Sequence, residues 1–422
     1  MPADQANISY YITHYENRLL SALCVDDRPV QASFSPRQVS AEADAAFAVG
    51  TILVGRINRI VSNIHAAFVD IAPGIQGFLP LQSICSPVYC SNDRTKKDMP
   101  VQGDCVLVQV EKAAVKTKDL VLTTKLSLSG RYAVFENIGS GIHFSRKVSP
   151  KQRSRMNDFL ASQQITEAAF RGCGCIVRTN AFTLQDLSPV LTELKRLHAD
   201  MARLISYASS RTLYSVLYTP PADYLLALRD TYALSFRRIV TDIPEVFEQL
   251  TSYFTDVGDT ESLQKLSFFD NGKKSMSLLN FYRLGERIKE ALSERVWLKS
   301  GGYLVIEPTE SLTAIDVNTG KYTGKSDAED TYWKINAEAA QMIALQLRLR
   351  NLSGMILVDF INMKERERKE QLLELLRSYT AYDPVHTSVI DMTPLGLVEI
   401  TRKKIRKSLK EQYDETAFHE RN

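Results

Sequence analysis

The chain has 422 residues, 44% of them hydrophobic and 24% charged, with a formal net charge of +3. This length predicts about two to four domains of ordinary globular composition. The net charge is too small to indicate nucleic-acid binding by itself. No stretch stays apolar for about 18 residues, as a membrane-spanning helix requires, and no signal peptide opens the chain, so we expect a cytoplasmic protein without a membrane span. The six scattered cysteines contain no C-x-x-C pair, which predicts free thiols.

Alternating apolar and polar residues predict a β-hairpin over residues 7–35, with a turn at Asp26 and Asp27. An isolated hairpin is only marginally stable. We therefore expect this hairpin to pair with strands from elsewhere in the chain, within a domain built from discontinuous segments.

Short strands at regular spacing between residues 46 and 124 predict a small β-barrel. Phe68 and Phe78 lie on strands that flank the turn at residues 72–74. In a five-stranded OB-type barrel, aromatic side chains near such a turn can stack on the bases of single-stranded RNA. From aromatic periodicity alone, a position in the core is favoured for both residues.

Strands and helices alternate in the rest of the chain. Ser149 and Pro150 predict the start of a helix that runs to residue 164. A strand is predicted at residues 173–181, and an apolar stripe between Leu187 and Ile205 predicts a packed helix. Residues 211–260 are expected to complete the N-terminal sheet. Residues 281–298 predict an amphipathic helix.

Two short paired strands are predicted in residues 301–321, and the second carries Asp316 and Asn318. Period-two alternation places these two side chains on one face. Asp359 lies in another apolar, β-branched run, where an uncompensated charge is costly to bury. Two carboxylates and an amide on neighbouring strands form a hard oxygen cluster that suits Mg²⁺. The alternative, two strand-end carboxylates bound by backbone amides or by arginine, is equally compatible with the local pattern.

Several segments resemble motifs of the bacterial ribonuclease E/G family, and they occur in the order found in that family. They are AAFVDI at 66–71, GFLPL at 77–81, LSLSGRYAV at 126–134, CIVRTNA at 175–181, LTAIDVNTGK at 312–321, LRLRNLSGMILVDFINM at 347–363 and TPLGLVEITRKK at 393–404. The resemblance therefore covers nearly the whole chain.

The resemblance implies a multidomain protein of α/β and all-β parts. An OB-type RNA-binding barrel would carry a sensor of RNA 5′ ends, beside a ribonuclease H-like subdomain and a deoxyribonuclease-like α/β catalytic domain. The implied bounds are 1–37 and 213–280 for the ribonuclease H-like parts, 38–125 for the barrel, 126–212 for the sensor, 281–411 for the catalytic domain and 412–422 for a tail.

The resemblance also implies roles for individual residues. Asp316 and Asp359 would hold the catalytic Mg²⁺, assisted by Asn318. The residues implied to bind a terminal 5′ monophosphate are Gly130, Val134, Arg178 and Thr179. Those implied to bind single-stranded RNA are Phe68, Phe78 and Lys118.

The function that the resemblance implies is Mg²⁺-dependent endonucleolytic cleavage of single-stranded RNA, in RNA processing and decay. Attack by water would leave 5′-phosphate and 3′-hydroxyl ends, and 5′-monophosphorylated RNA would be favoured. The alternative is a single-stranded RNA-binding protein without catalysis. The C-P-x-C zinc link of well-known members has no counterpart after Cys175. We therefore expect a compact, ribonuclease G-like chain without zinc, in which a homodimer would need a zinc-independent interface.

Overall fold

A computed structural model describes most of the chain. The described residues are 7–36, 47–90, 99–112, 120–145, 148–165, 170, 172–231, 236–273, 276–320 and 328–418. The chain divides into two compact units, one formed by Met1–Arg37 with Leu234–Asn422 and the other by Gln38–Ala233.

The strands are numbered in chain order. The first thirteen are β1 (Ile8–Tyr15), β2 (Arg18–Val25), β3 (Arg28–Pro36), β4 (Ile52–Val61), β5 (Ala66–Ala72), β6 (Ile75–Pro80), β7 (Cys105–Lys112), β8 (Leu120–Thr123), β9 (Ser127–Ser129), β10 (Ala133–Glu136), β11 (Gly141–Phe144), β12 (Gly174–Val177) and β13 (Val216–Tyr218). The others are β14 (Phe236–Thr241), β15 (Leu266–Phe268), β16 (Arg295–Trp297), β17 (Tyr303–Pro308), β18 (Leu312–Asn318), β19 (Gly354–Asp359), β20 (Thr387–Met392) and β21 (Leu397–Arg402).

The helices are numbered in the same way. They are α1 (Pro150–Ser162), α2 (Ser188–Tyr207), α3 (Asp223–Thr231), α4 (Pro244–Asp256), α5 (Thr260–Lys265), α6 (Leu278–Phe281), α7 (Leu284–Leu292), α8 (Ala328–Leu349), α9 (Arg366–Thr380) and α10 (Leu409–Phe418). In the described part of the chain, no helix combines the length and the apolar composition needed to cross a membrane.

A closed barrel forms the first part of the unit Gln38–Ala233. Its strands follow the order β4-β5-β6-β8-β7, and β7 pairs back with β4. The β6 and β8 strands run parallel, and the other barrel pairs are antiparallel. At Gly77 a Cβ atom would lie 2.4 Å from Leu122 Cδ1, so the close packing inside the barrel requires glycine there. The predicted barrel is confirmed and is consistent with an OB-type fold.

A four-stranded sheet and two helices form the second part of this unit. The strand order is β11-β12-β10-β9, and α2 covers the sheet with its apolar stripe. Helix α1 begins as predicted, because the Ser149 side chain accepts a hydrogen bond from the Gln152 backbone N–H and Pro150 occupies the first helical position.

The first sheet of the other unit combines the N-terminal strands with two strands from the middle of the chain. Its order is β15-β14-β1-β2-β3, in which β14 runs parallel to β1. The N-terminal segment therefore pairs with a later strand, as expected. The hairpin prediction was incomplete, because residues 8–36 form three strands with an additional turn at Glu16 and Asn17.

The second sheet of this unit has the order β16-β17-β18-β19-β21-β20. The predicted pairing of β17 with β18 is confirmed. The helix predicted at residues 281–298 is wrong at both ends: Arg283 has a left-handed φ of 52° that separates α6 from α7, and the chain beyond Leu292 forms β16.

One face of this second sheet is packed and the other is open to solvent. Helices α8 and α9 cover the first face, where Ile315, Val317 and Val358 belong to the buried core. On the other face Val305 and Leu357 are half-buried, and Met355 is exposed. Helices α8 and α9 thus lie on one side of the sheet, which leaves the opposite side accessible.

Candidate functional site

Two carboxylates lie near the carboxyl ends of neighbouring parallel strands on the open face of the second sheet. Asp316 on β18 is the register partner of Asp359 on β19. Both residues are exposed, whereas Ile315 and Val317 beside Asp316 point into the core. Neighbouring strands lie about 4.8 Å apart, so the two carboxylates form a close pair on a rigid support.

Asn318 orients one member of this pair. Its amide Nδ2 donates a hydrogen bond to Asp316 Oδ2 over 2.7 Å. The two side chains share a strand face, as period-two alternation predicts. The hydrogen bond fixes Asp316 against rotation and leaves the amide oxygen of Asn318 as a further acceptor. The structure thus brings Asp316, Asn318 and Asp359 together in one cluster.

Helix α8 holds the loops around this cluster through side-chain contacts with backbone groups. Fully buried Asn336 accepts a hydrogen bond from the Ile361 N–H over 3.0 Å and donates one to the Ile361 carbonyl over 2.7 Å. Glu338 accepts hydrogen bonds from the backbone N–H groups of Lys299 and Ser300, at 2.6 and 3.0 Å. These contacts fix the chain that follows Asp359 and the chain that leads into β17. Neither helix residue was among the predicted site residues.

In the barrel, Phe68 and Phe78 are register partners on β5 and β6. Their ring centroids lie 6.0 Å apart in an edge-to-face arrangement, and the Arg59 guanidinium lies 4.5 Å from the Phe68 ring centroid. Both aromatic residues are half-buried and lie outside the barrel core, so the core position favoured by periodicity is wrong. Lys118 lies outside the described residues.

Around β10, the structure brings together Gly130 and Arg178. Arg178 Nη1 donates a hydrogen bond to the Gly130 carbonyl over 3.1 Å, and the Arg178 backbone N–H donates one to the Tyr132 carbonyl over 2.6 Å. Val134, in β10, pairs with Ile176 of the neighbouring strand. Thr179 directly follows Arg178 and is exposed.

A buried carboxylate that sequence analysis missed organises this loop. Glu193 on α2 is 6% exposed and accepts hydrogen bonds from three consecutive backbone N–H groups, at distances between 2.6 and 3.0 Å. These N–H groups belong to Arg131, Tyr132 and Ala133. A Cβ atom at Gly130 would lie 2.4 Å from Glu193 Oε1, so this carboxylate requires glycine there. The available signal was an acidic residue within the apolar stripe of α2.

All six cysteines are free thiols. Burial raises the pKa of the Cys24 and Cys175 thiols to about 12. Buried thiols with raised pKa values are poor nucleophiles and poor metal ligands, because both roles require the thiolate. These two cysteines therefore act as small core residues.

Comparison with known proteins identifies the family. Residues 127–405 match the profile of the ribonuclease E/G family. The chain is 34% identical to ribonuclease G of Salmonella typhimurium over 372 residues, which cover 86% of this chain and 74% of that protein. It is 32% identical to ribonuclease E of Nostoc sp. over 397 residues, 93% of this chain, and spans only 57% of that protein's length. The resemblance argued from the motifs is thereby confirmed, and the chain belongs to the ribonuclease E/G family of enzymes.

Proposed function

We propose that this protein is a Mg²⁺-dependent endoribonuclease that cleaves single-stranded RNA in RNA processing and decay. The observation that carries the proposal is the in-register pair of exposed carboxylates, Asp316 and Asp359, with Asn318 hydrogen-bonded to the first. This cluster lies on an open sheet face, where a polymer has access. Membership in a ribonuclease family supplies the substrate class.

The donor set fits Mg²⁺. This ion commonly binds through one or two carboxylates together with waters and substrate phosphates, and therefore does not need a closed protein cage. Within the ranges that the structure describes, no group of three or more His, Cys, Asp or Glu side chains is arranged to hold a metal. Asp316 and Asp359 are the residues that would hold Mg²⁺. When bound, the ion supplies charge neutralisation at phosphorus and promotes ionisation of water.

The residues themselves perform binding and orientation. Asp316 and Asp359 gather hard oxygen ligands at one point on the sheet, and the Asn318 amide keeps the Asp316 carboxylate in a single orientation. The amide oxygen of Asn318 is free to accept a hydrogen bond from a water aligned for in-line attack on phosphorus. Attack by water that displaces the 3′ oxygen leaves a 5′ phosphate and a 3′ hydroxyl, and no 2′,3′-cyclic phosphate forms because the 2′-hydroxyl takes no part.

The finer domain assignments belong to the same proposal. The sheet of β1 to β3 with β14 and β15 would be the ribonuclease H-like subdomain, and the sheet of β16 to β21 would be the deoxyribonuclease-like catalytic domain. The barrel would bind single-stranded RNA on the surface formed by Arg59, Phe68 and Phe78, since a guanidinium and two accessible rings suit base stacking. The sequence bounds given above remain proposals.

A preference for 5′-monophosphorylated RNA would arise beside β10. Arg178 offers a charged donor and exposed Thr179 a hydroxyl, next to the Val134 backbone and the Gly130 loop. We expect Arg178→Ala to remove any difference in cleavage rate between 5′-monophosphate and 5′-hydroxyl RNA. Equal rates for the two RNAs with the unaltered protein would refute sensing without refuting cleavage.

The central test uses a labelled, A/U-rich single strand incubated with Mg²⁺ or with EDTA. We expect shortening only with Mg²⁺, to products with 5′-phosphate ends and without cyclic phosphates. Asp316→Asn should slow cleavage more than about 100-fold, since loss of an outer-shell partner alone costs about 10- to 100-fold. The control is Glu374→Gln, which makes the same charge change at an exposed position of α9. Full cleavage by Asp316→Asn would refute the assignment.

The second candidate is an RNA-binding protein without catalysis. The barrel surface formed by Arg59, Phe68 and Phe78 favours it independently of the carboxylates. A mobility shift without shortening in Mg²⁺ would establish this alternative. Light scattering with and without RNA would determine whether a zinc-independent homodimer forms.

A further inference from the structure

A small aromatic cluster lies at the edge of the open sheet face. We define it by Arg295 and Trp297 on β16 and Tyr303 on β17, and call it the edge platform. Trp297 and Tyr303 are register partners, with ring centroids 5.2 Å apart. The Trp297 side chain is 62% exposed although it is the largest of the apolar residue types. A single exposed aromatic residue is ordinary in a protein surface, but a pair of contacting rings, here tilted by 57° to each other, is not.

A cation completes the edge platform. The Arg295 guanidinium lies 4.6 Å from the Tyr303 ring centroid and 5.8 Å from that of Trp297. Arg295 is exposed, so this charge is available to a ligand. Planar rings beside a guanidinium are the combination with which proteins hold unpaired nucleobases, since the rings stack on the base and the cation attracts the nearby phosphate.

Strand register connects the edge platform to the carboxylate pair. Tyr303 is the partner of Asn318, and in the next row Arg295 pairs with Val305, which pairs with Asp316. Register partners share a face, so the platform and the carboxylates lie on the same side of the sheet. Since β17 lies between β16 and β18, these two strands are about 10 Å apart. This separation suits a nucleotide close to the phosphate at Asp316.

We propose that the edge platform is a base-stacking subsite for single-stranded RNA, in which Trp297 stacks on the base of a nucleotide flanking the scissile phosphate. This inference rests on the proposed function, because it takes the carboxylate pair as the cleavage point. The subsite accepts any base by its aromatic face and holds the strand so that the adjoining phosphate reaches Asp316. Arg295 neutralises a neighbouring phosphate and partly offsets the negative charge of the two carboxylates.

Fluorescence of Trp297 gives a direct test. The chain has two tryptophans, so Trp333→Phe leaves Trp297 as the only one. Single-stranded RNA is titrated in EDTA buffer, where cleavage does not occur, and binding is followed separately by anisotropy of a labelled strand. We expect Trp297 emission to be quenched in parallel with binding. Trp297→Ala should weaken binding by about 5- to 150-fold, and Trp297→Phe should restore part of the loss.

Two controls separate stacking from general effects. Tyr382→Ala removes an aromatic side chain of the same 62% exposure from the same unit, and should leave RNA affinity unchanged. In the second control, abasic nucleotides replace each position near the cleavage site in turn. At one position, the abasic nucleotide should weaken RNA binding by the unaltered protein but leave RNA binding by Trp297→Ala unchanged. This comparison needs no other protein variant.

The outcomes distinguish the subsite from the proposed function. RNA binding without Trp297 quenching, or with no abasic position coupled to Trp297, would overturn the subsite while leaving RNA binding intact. Unchanged RNA affinity of Trp297→Ala would also overturn the subsite, because the edge platform would then take no part in RNA binding. Absence of both RNA binding and Mg²⁺-dependent cleavage in the unaltered protein would refute the proposed function itself.

Discussion

Replacement of Glu193 by alanine removes the one acceptor shared by three consecutive backbone donors. In the native loop, Glu193 Oε1 accepts from the N–H groups of Tyr132 and Ala133, and Oε2 accepts from that of Arg131. The loop carries Gly130, whose carbonyl accepts a hydrogen bond from Arg178. The substitution therefore disturbs both the stability of this part of the protein and the position of the proposed 5′-phosphate site.

The expected magnitude follows from the number of hydrogen bonds. A buried donor that loses its acceptor costs about 1–3 kcal/mol, so three donors should reduce the free energy of unfolding by about 3 kcal/mol or more in Glu193→Ala. Glu193→Gln keeps one oxygen for two of the donors and presents an NH₂ group to the third. Loss of one charge-assisted hydrogen bond should then cost about 1.5–3 kcal/mol.

Two measurements check this reasoning. Urea denaturation followed by circular dichroism gives the change in the free energy of unfolding, and hydrogen exchange at residues 131–133 reports the loop itself. The control is Lys195→Ala at an exposed position of the same helix, which should change stability by less than about 0.5 kcal/mol. A Glu193→Ala variant as stable as this control, with unchanged amide protection in the loop, would refute the reasoning.

Three further predictions concern other buried polar groups. Asn336→Leu should lower the free energy of unfolding by about 2–4 kcal/mol and slow RNA cleavage, because it leaves the Ile361 N–H and carbonyl unpaired; urea denaturation and a cleavage assay check this. Arg402→Met should cost about 3–5 kcal/mol by leaving the buried Asp383 carboxylate without its charged partner, and addition of Asp383→Asn, which keeps an acceptor oxygen, should recover part of this loss. The contribution of three thiols to stability should be constant below about pH 9 and fall as the pH rises from 9 towards 12, by up to about 1.4 kcal/mol per pH unit and thiol, because the unfolded chain releases thiol protons first. The thiols concerned, whose pKa burial raises to about 12, are Cys24, Cys90 and Cys175. Denaturation midpoints measured across this pH range check the loss of stability, and replacement of any of the three by alanine should reduce that loss.

The parts of the fold that sequence analysis predicted are those with local patterns. Alternation around Asp316 was sufficient to predict β18 and the face that carries Asn318, and the apolar run before Asp359 predicted the neighbouring strand. The missed turn at Glu16 shows why other parts were not predictable. Glu16 has a φ of 55°, a left-handed conformation that glycine or asparagine normally signals, so the residue type at this position did not mark the turn, and Asn17 was its only signal.

The edge platform was missed for a different physical reason. Helical periodicity through Leu284, Ile288 and Ala291 extends to Val296, which favoured one helix up to residue 298. Pairing of β16 with β17 overrides this preference, because three backbone residues gain partners along the edge of the sheet. With the strand unrecognised, Trp297 was assigned to a helix, and its alignment with Tyr303 and Asn318 could not be foreseen.

Glu193 and Asn336, which hold the loops beside the two proposed sites, were not predicted for a common reason. Glu193 and Asn336 bind backbone N–H and carbonyl groups, which nearly every residue type offers, so the side chains of the residues that they hold do not identify them. Each lies on a helix far from that loop in sequence. The only sign is in the helix, where a polar residue occupies a position that faces the core and must find a partner there. The proposed metal ligands Asp316 and Asp359 could therefore be inferred from strand patterns, whereas residues that support a site from a distance are better sought among polar residues on apolar helix stripes.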